Sequence, residues 1–452
     1  MTRRTARDAP RAGLDVKTTR ADPQPADFTD VRATNLAVVL RHLRANGPSS
    51  RAAIAASTGL NKATVSSLTG ALLDQRLLRE TGSSGNRIGR PGTALALDGS
   101  AYAAIGLQMT ADRLTAVAVD FAGDQILLWH RHLDGAPATE APPSHTPASA
   151  SPASAPGAPA SGGLAPGSRG GHATIRPGRM ISALVALAQR AATRVRQQGR
   201  HVVGITVAAP GLISDDGTVQ LSPSLGWENV DLRELLSGSL RRPGLDVTVT
   251  NHAGVAAIAE LRHGDHAVKS DLTYVTGAAG VEAGIVVDGR LVHGSRGFTG
   301  QIGQFRLGPV GSPTLADLAG IEQLVRRALP GLTPAALTDL TPAVEQVANQ
   351  ARAGDPDTLA ALQDTGCHLG QGLALLANLV NPEVIVLGDH YATLAEWILP
   401  SAEAELTRNT LAPSAGGTRL AASRLGLHAA ALGGAVTHLD RIDTGALPAA
   451  AH

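Results

Sequence analysis

Apolar positions begin to recur with a helical period soon after residue 30. Leu36, Val39, Leu40 and Leu43 share one face, and the run stops at Asn46-Gly47-Pro48. Ser49 or Ser50 is placed to cap a short second helix over residues 51–57, closed by Thr58-Gly59. A third helix is predicted from about Asn61, with Val65, Leu68, Leu72 and Leu73 on its inner face. Residues 77–80 and the alternating 93–97 then read as two strands of a hairpin.

Beyond Ser100 the period shortens. Strands are predicted at 102–108, 114–120, 125–133, 202–208, 247–250, 272–276, 283–287 and 384–387. Helices are predicted at 180–198, 253–261, 315–328, 356–379 and 394–407. Strands alternating with helices indicate an α/β body. No internal repeat of 20–50 residues is apparent. Two stretches lack periodicity. Residues 1–28 are polar and Pro-dotted, and 34 of the 44 residues in 135–178 are Pro, Ala, Ser or Gly. Neither stretch has enough apolar surface to offset its ordering entropy, so a disordered tail and a flexible insertion are expected. The expected domains are therefore 29–98 and 99–445.

Composition narrows the class. With 43% hydrophobic and 17% charged residues the chain reads as globular. Aromatics make up 2%, so the cores must be built from Ala, Leu and Val. The single cysteine, Cys367, excludes an internal disulfide and any Cys-rich zinc site, and it reads as a small core residue. No apolar run is long enough to span a bilayer, and the basic N-terminus lacks the hydrophobic core of a secretory signal. A cytoplasmic location and no membrane partner are expected. His263 and His266 read as solvated loop residues.

The net charge of +1 conceals an asymmetry. Up to Asp98 there are 15 basic against 8 acidic residues, and after it 24 against 30. A basic front on an acidic body points to a polyanion at the front. Three helices with a tight turn between the second and third, followed by a hairpin, form the layout of a winged helix-turn-helix. On the third helix, Lys62, Ser66 and Ser67 point away from the apolar face, with Asn61 and Thr64 at its border. Small polar and basic side chains there reach base edges and phosphates in a major groove. Arg51, at the start of the second helix, suits a phosphate contact. In the wing, Arg87 and Arg90 stand in Arg-Ile-Gly-Arg-Pro-Gly, where a slender Arg can enter a narrow A·T minor groove.

The segment SSRAAIAASTGLNKATVSSLTGALLDQRLLRETG and the GRPG after it resemble the front end of the ROK family's transcriptional repressors. The body resembles the same family. GITVAAPGLISDDGTVQLSPSLGW (204–227), VTVTNHAGVAAIAE (247–260), the glycine-rich run ending GFTGQIG (297–303) and NPEVIVLGD (381–389) each match one of its motifs. The resemblance spans residues 30 to about 442, apart from the insertion. It implies a winged helix-turn-helix joined to a two-lobed, actin-like ATPase (sugar-kinase-like) body. It also implies a double-stranded DNA operator as partner and a homo-oligomer, dimer or tetramer, to read two half-sites.

The resemblance further implies that kinase chemistry is lost. The family's catalytic Asp falls at His252, after Asn251. Its first phosphate loop falls at residues 108–113, which keep no glycine and place Gln108 at the metal-associated Asp and an acidic Asp112 in the loop. Its second falls at 278–282, where Ala278, Ala279 and Glu282 replace residues that let a backbone approach phosphate. The family's structural zinc needs a His, here Gln304, and a cysteine cluster, here residues 311–316 without a thiol. No catalytic residue, cofactor or metal is expected. The sugar-holding positions fall at Asn251, His252, Gln301, Gln304 and Ala316, so a neutral amide-rich pocket for a sugar or sugar derivative is the expected effector site. Two alternatives stay open: a DNA-binding dimer with a vestigial pocket, and a sugar kinase fused to a DNA-binding unit. Trp227 reads equally as pocket border or as packing.

Overall fold

A computed structural model describes residues 28–82, 93–133, 175–240, 245–266, 270–277, 280–411, 417–445 and 448. The tail expected over 1–28, except Phe28, and most of the 135–178 insertion lie outside these residues, as do Arg87 and Arg90 of the wing.

The N-terminal unit forms where its caps and apolar spacing put it. Helix α1 (Phe28–Asn46) is followed by the two-residue strand β1 (Ser49–Ser50), α2 (Arg51–Thr58) and α3 (Lys62–Asp74). The Ser50 side chain caps α2 by accepting from Ala53 N, and Asn61 caps α3 by accepting from Thr64 N. Between them Gly59 turns the chain at φ 74°, a left-handed conformation that costs glycine nothing. Strands β2 (Leu78–Thr81) and β3 (Ala94–Leu97) pair antiparallel, and β1 adds to β3. Leu36, Val39, Leu40, Leu43, Val65, Leu68 and Leu72 are all buried in one core, whereas Leu73 only packs against it.

The body has two lobes. Lobe I runs β4 (Tyr102–Met109), β5 (Arg113–Asp120), β6 (Gln125–His132), α4 (Pro177–Gln197) and β7 (His201–Ala209). It continues with a small antiparallel sheet of β8 (Leu212–Ile213), β9 (Val219–Ser222) and β10 (Trp227–Val230), then α5 (Leu232–Leu240), β11 (Asp246–Asn251) and α6 (His252–His263). Lobe II runs β12 (Leu272–Thr276), β13 (Glu282–Val287), β14 (Arg290–Leu291), α7 (Leu315–Ala319), α8 (Ile321–Ala328), α9 (Leu340–Arg352) and α10 (Pro356–Val380). It ends with β15 (Val384–Leu387), α11 (Asp389–Thr393), α12 (Ala395–Asn409) and β16 (Arg419–Ala422), after which α13 (Ala429–Asp443) packs back on lobe I and α6.

The two main sheets have the same plan. In lobe I the order is β11-β7-β4-β5-β6, and in lobe II, read from the matching edge, β16-β15-β12-β13-β14. In each, the first three strands form an antiparallel meander and the last two add in parallel beside the first. Helix α13 crosses lobe I so closely that a Cβ on Gly106 would collide with the Ala431 carbonyl.

Several expectations change in detail. The helix expected over 315–328 is two helices, because Gly320 is extended at ψ 142° between α7 and α8. The described chain resumes at Ile175, inside the low-complexity stretch, and Pro177 and Gly178 already belong to α4. Trp227 is a packing residue: it is buried, and its Nε1 donates to the Ile175 carbonyl at 2.7 Å. Cys367 is half-buried rather than a core residue. His266 is not solvated either. Its side chain is 8% exposed and its Nε2 lies 3.1 Å from the buried Glu260 carboxylate, which also accepts from Ser423.

Candidate DNA-reading face and effector cleft

Asn61, Lys62, Ser66 and Ser67 are exposed along α3, and Thr64 is half-buried beside them, on the side opposite Val65, Leu68 and Leu72. The face is thus free of core duty. Asn61 is partly committed, since its Oδ1 closes the N-terminus of α3 on Thr64 N at 2.7 Å and leaves only its amide group to face outward. Arg51 has partners of its own. Its Nε donates to Thr69 Oγ1 and its Nη2 to Glu80 Oε1, both at 3.2 Å, tying α2 to α3 and to β2.

This unit is fixed to the body. Leu432, Leu439 and Ile442 of α13 and Phe121 of lobe I share a core with α1 and α3. Arg44, in the last turns of α1, donates to Asp443 of α13 through Nε at 2.5 Å and Nη2 at 3.1 Å. It also donates to the Phe121 carbonyl at 3.2 Å and lies over the Phe121 ring, 5.4 Å from its centroid.

The second candidate lies where β11 hands over to α6. Asn251 ends the strand and caps the helix, accepting from Gly254 N at 3.1 Å. Its Nδ2 donates to the Gly211 carbonyl at 2.9 Å and to Glu282 Oε2 at 2.7 Å. Every polar atom of its amide is engaged within the protein, so Asn251 organises the site rather than offering it a free group. His252, 6% exposed, opens α6, and its Nε2 lies 3.8 Å from the same Glu282 oxygen without a hydrogen bond. Glu282 therefore joins lobe II to the Asn251–His252 pair of lobe I. It was expected only as an obstruction to phosphate. The signal for its partnership was a lone carboxylate in an apolar run, which has no spacing rule to decode it.

Gln301 and Gln304 sit on the turn after lobe II's glycine-rich run, which is strapped to the start of β13 by Ala283 N to Gly300 O and Gly303 N to Val281 O. Gln301 is half-buried, whereas Gln304 is exposed. A cavity of about 140 Å³ opens between the lobes, lined by residues 213–215, 248–251, 283–285 and 291–293 together with Gly254, Gly297 and Thr299. Asn251 is on its wall; His252, Gln301 and Gln304 are not. The structure thus unites Asn251 and His252 but does not gather all four expected residues around one cavity. The cavity's hydroxyl, amide and carboxylate lining suits a small polar molecule.

The phosphate-handling positions are also visible in part. Gln108 is buried with Oε1 unsatisfied, and residues 110–113 form a tight β4–β5 turn in which Thr110 Oγ1 donates to Asp112 Oδ1 at 2.8 Å. Ala278 and Ala279 lie outside the described residues. Among the described residues no helix is long and apolar enough to cross a membrane.

Comparison with known proteins follows the same division. The ROK family model matches residues 176–440, and the IclR helix-turn-helix domain model matches residues 33–82. The xylose repressor of Bacillus spizizenii is 25% identical over 408 residues, covering 90% of this chain and 95% of that protein. The DNA-binding transcriptional dual regulator NagC of Escherichia coli is 26% identical over 419 residues, with 89% and 91% covered. Among solved structures, a ROK family transcriptional regulator described as a homologue of the E. coli MLC protein superposes with TM-score 0.69 at 21% identity, covering 92% of this chain and 98% of that one. A ROK family glucokinase from Streptomyces griseus, in complex with glucose and AMPPNP, gives TM-score 0.55 at 20% identity, with 74% and 98% covered. At these identities the structural likenesses establish the two-lobed fold alone.

Proposed function

Because this chain belongs to the ROK family, whose model covers more than half of its length, we propose that it is a sugar-responsive, DNA-binding repressor whose body is not an enzyme. The observation that carries the reading is the exposed polar face of α3, free of core duty, on a unit that shares its core with lobe I. Lys62, Ser66, Ser67 and Thr64 read the major groove, Asn61 contributes its amide, and Arg87 and Arg90 of the wing supply minor-groove contacts. Arg51 holds the unit together and meets phosphate only by leaving Glu80. Two copies of the chain read two half-sites.

The cleft takes the effector. The relative named for xylose repression supplies the first sugar to try. Asn251 fixes the lobe I wall, next in sequence to His252, whose buried Nε2 has no hydrogen-bond partner but does not line the cavity. Against kinase action stand a histidine at the expected proton acceptor and phosphate-loop positions occupied by Gln108, Asp112 and Glu282. The test is fluorescence anisotropy of the purified protein on operator DNA selected from random sequence, with and without each sugar. One sugar is expected to weaken binding at least tenfold, and no sugar is expected to stimulate ATP turnover. Sugar-dependent ADP release would make the body a kinase. Unchanged DNA affinity across a broad panel would reduce it to a dimerisation scaffold.

A further inference from the structure

A second polar cluster spans the two lobes away from Asn251. Asp112 lies in the β4–β5 turn and His132 ends β6 beside it, with Arg113 paired to His132 and Leu133 N bonded to the Asp112 carbonyl at 2.7 Å. Across the gap, Asp339 of lobe II caps α9. One ligand atom from each of Asp112, His132 and Asp339 lies within 4.8 Å of the other two, and His132 Nδ1 is 3.9 Å from Asp339 Oδ2.

The carboxylates are already aimed. Asp112 Oδ1 is held by Thr110 Oγ1 at 2.8 Å, and Asp339 Oδ1 by Thr341 N at 2.9 Å. Each therefore keeps one oxygen for another partner, the arrangement by which an outer layer of hydrogen bonds orients metal ligands. Arg113, whose charge reaches this region, forms no ion pair with either aspartate, so two carboxylates face one exposed imidazole. His390 on α11 is 7% exposed and lies in the field of Asp389 and Arg113 as well as of Asp112 and Asp339.

We propose that Asp112, His132 and Asp339 form a divalent-cation site that clamps lobe I to lobe II. Two carboxylates and an imidazole without thiolates suit a borderline ion of the zinc class, completed by water, rather than a calcium cage of six to eight oxygens. A tetrahedral zinc places its ligand atoms about 3.4 Å apart, so atoms that now lie within 4.8 Å of one another must close by up to about 1.4 Å, to which rotation of the exposed His132 contributes. The site is distinct from the family's zinc cluster, whose cysteines this chain lacks.

The experiment uses the full chain, purified without a histidine tag and stripped by chelator, titrated with zinc chloride alone by calorimetry and by thermal melting. One equivalent per chain is expected to bind and to raise the melting temperature by a few degrees. Cobalt in its place should give the visible absorption of a low-coordinate nitrogen–oxygen site. His132→Gln, chosen because the side chain is 64% exposed and holds up no core, should weaken zinc binding at least tenfold and abolish the cobalt band. Asp112→Asn should do the same. Absence of a bound equivalent, or binding undiminished in both variants, overturns the proposal and leaves a plain His132–Asp339 ion pair.

Discussion

Replacing Arg44 by alanine removes the tie between the DNA-reading unit and the body. Arg44 is 19% exposed and Asp443 only 4%, so the loss strands a carboxylate in a site that water barely reaches. Breaking a buried pair by deleting one partner costs about 3–5 kcal/mol, and the partial exposure of Arg44 puts this case at the low end. The contact over the Phe121 ring adds about 0.5–1 kcal/mol, so the expected loss is about 3–4 kcal/mol. Asp443→Asn should cost less, about 1–2 kcal/mol, because the guanidinium it leaves behind can turn to solvent and keeps the Phe121 carbonyl. The double variant should then show a coupling of about 2 kcal/mol. Urea unfolding of the four proteins measures the cycle, and hydrogen exchange across α1 locates it. An Arg44→Ala loss below about 0.5 kcal/mol, or additive single effects, would refute the reasoning and make the pair a surface ornament.

Lys62→Ala with Ser66→Ala should weaken operator binding without lowering the melting temperature, and should reduce the salt slope by about one unit for the lost phosphate contact; unchanged affinity would remove α3 from the interface. Gly106→Ala should destabilise lobe I by at least about 2 kcal/mol, because the new methyl meets the Ala431 backbone of α13 and no side chain can yield; a near-native melting temperature would contradict the close crossing. Burial, set against a bond to the Ile205 backbone, holds the His438 ring below its ordinary pKa. Its contribution is therefore present above pH 6.5 and lost as the pH falls below that value. Asp120, Glu260 and Asp440, raised mainly by burial, act in the opposite direction. The clean readout is thus the His438→Gln variant, whose stability should decline less with acid than that of the parent; parallel pH profiles would show that the ring does not titrate with unfolding.

The DNA-reading unit was legible in the sequence because its determinants are local. Ser50 and Asn61 cap the helices they precede, Gly59 sits at the left-handed turn, and the spaced leucines face one small core. The site between the lobes was half legible. Asn251 and His252 are neighbours in a motif, but Glu282 reaches them from the other lobe, and only the folded chain places its carboxylate 2.7 Å from the Asn251 amide. Helix α13 escaped detection because its middle reads Leu-Gly-Gly-Ala, which looks like a breaker. Packing overrides that propensity, since the helix needs small residues to cross both Gly106 and α6.

The duplicated strand order is the deeper case. Lobe I lays its α4 face on a core with Met180, Leu184, Leu187 and Trp227, while lobe II builds on Leu324, Leu362, Leu369 and Tyr391. The two sets share neither spacing nor residue types, because a sheet face asks only for apolar volume at alternate positions and leaves the partner helix free to supply it. A repeat in topology therefore leaves no repeat in sequence. The shared plan does not fix where polar residues fall: β11 ends in Asn251 and opens α6, while β15, which corresponds to β7 rather than to β11, ends beside Asp389, which starts α11 at φ 52° and accepts from Thr276 at 2.7 Å. Each lobe thus carries a polar residue where a strand hands over to a helix, at positions that the common strand order does not relate.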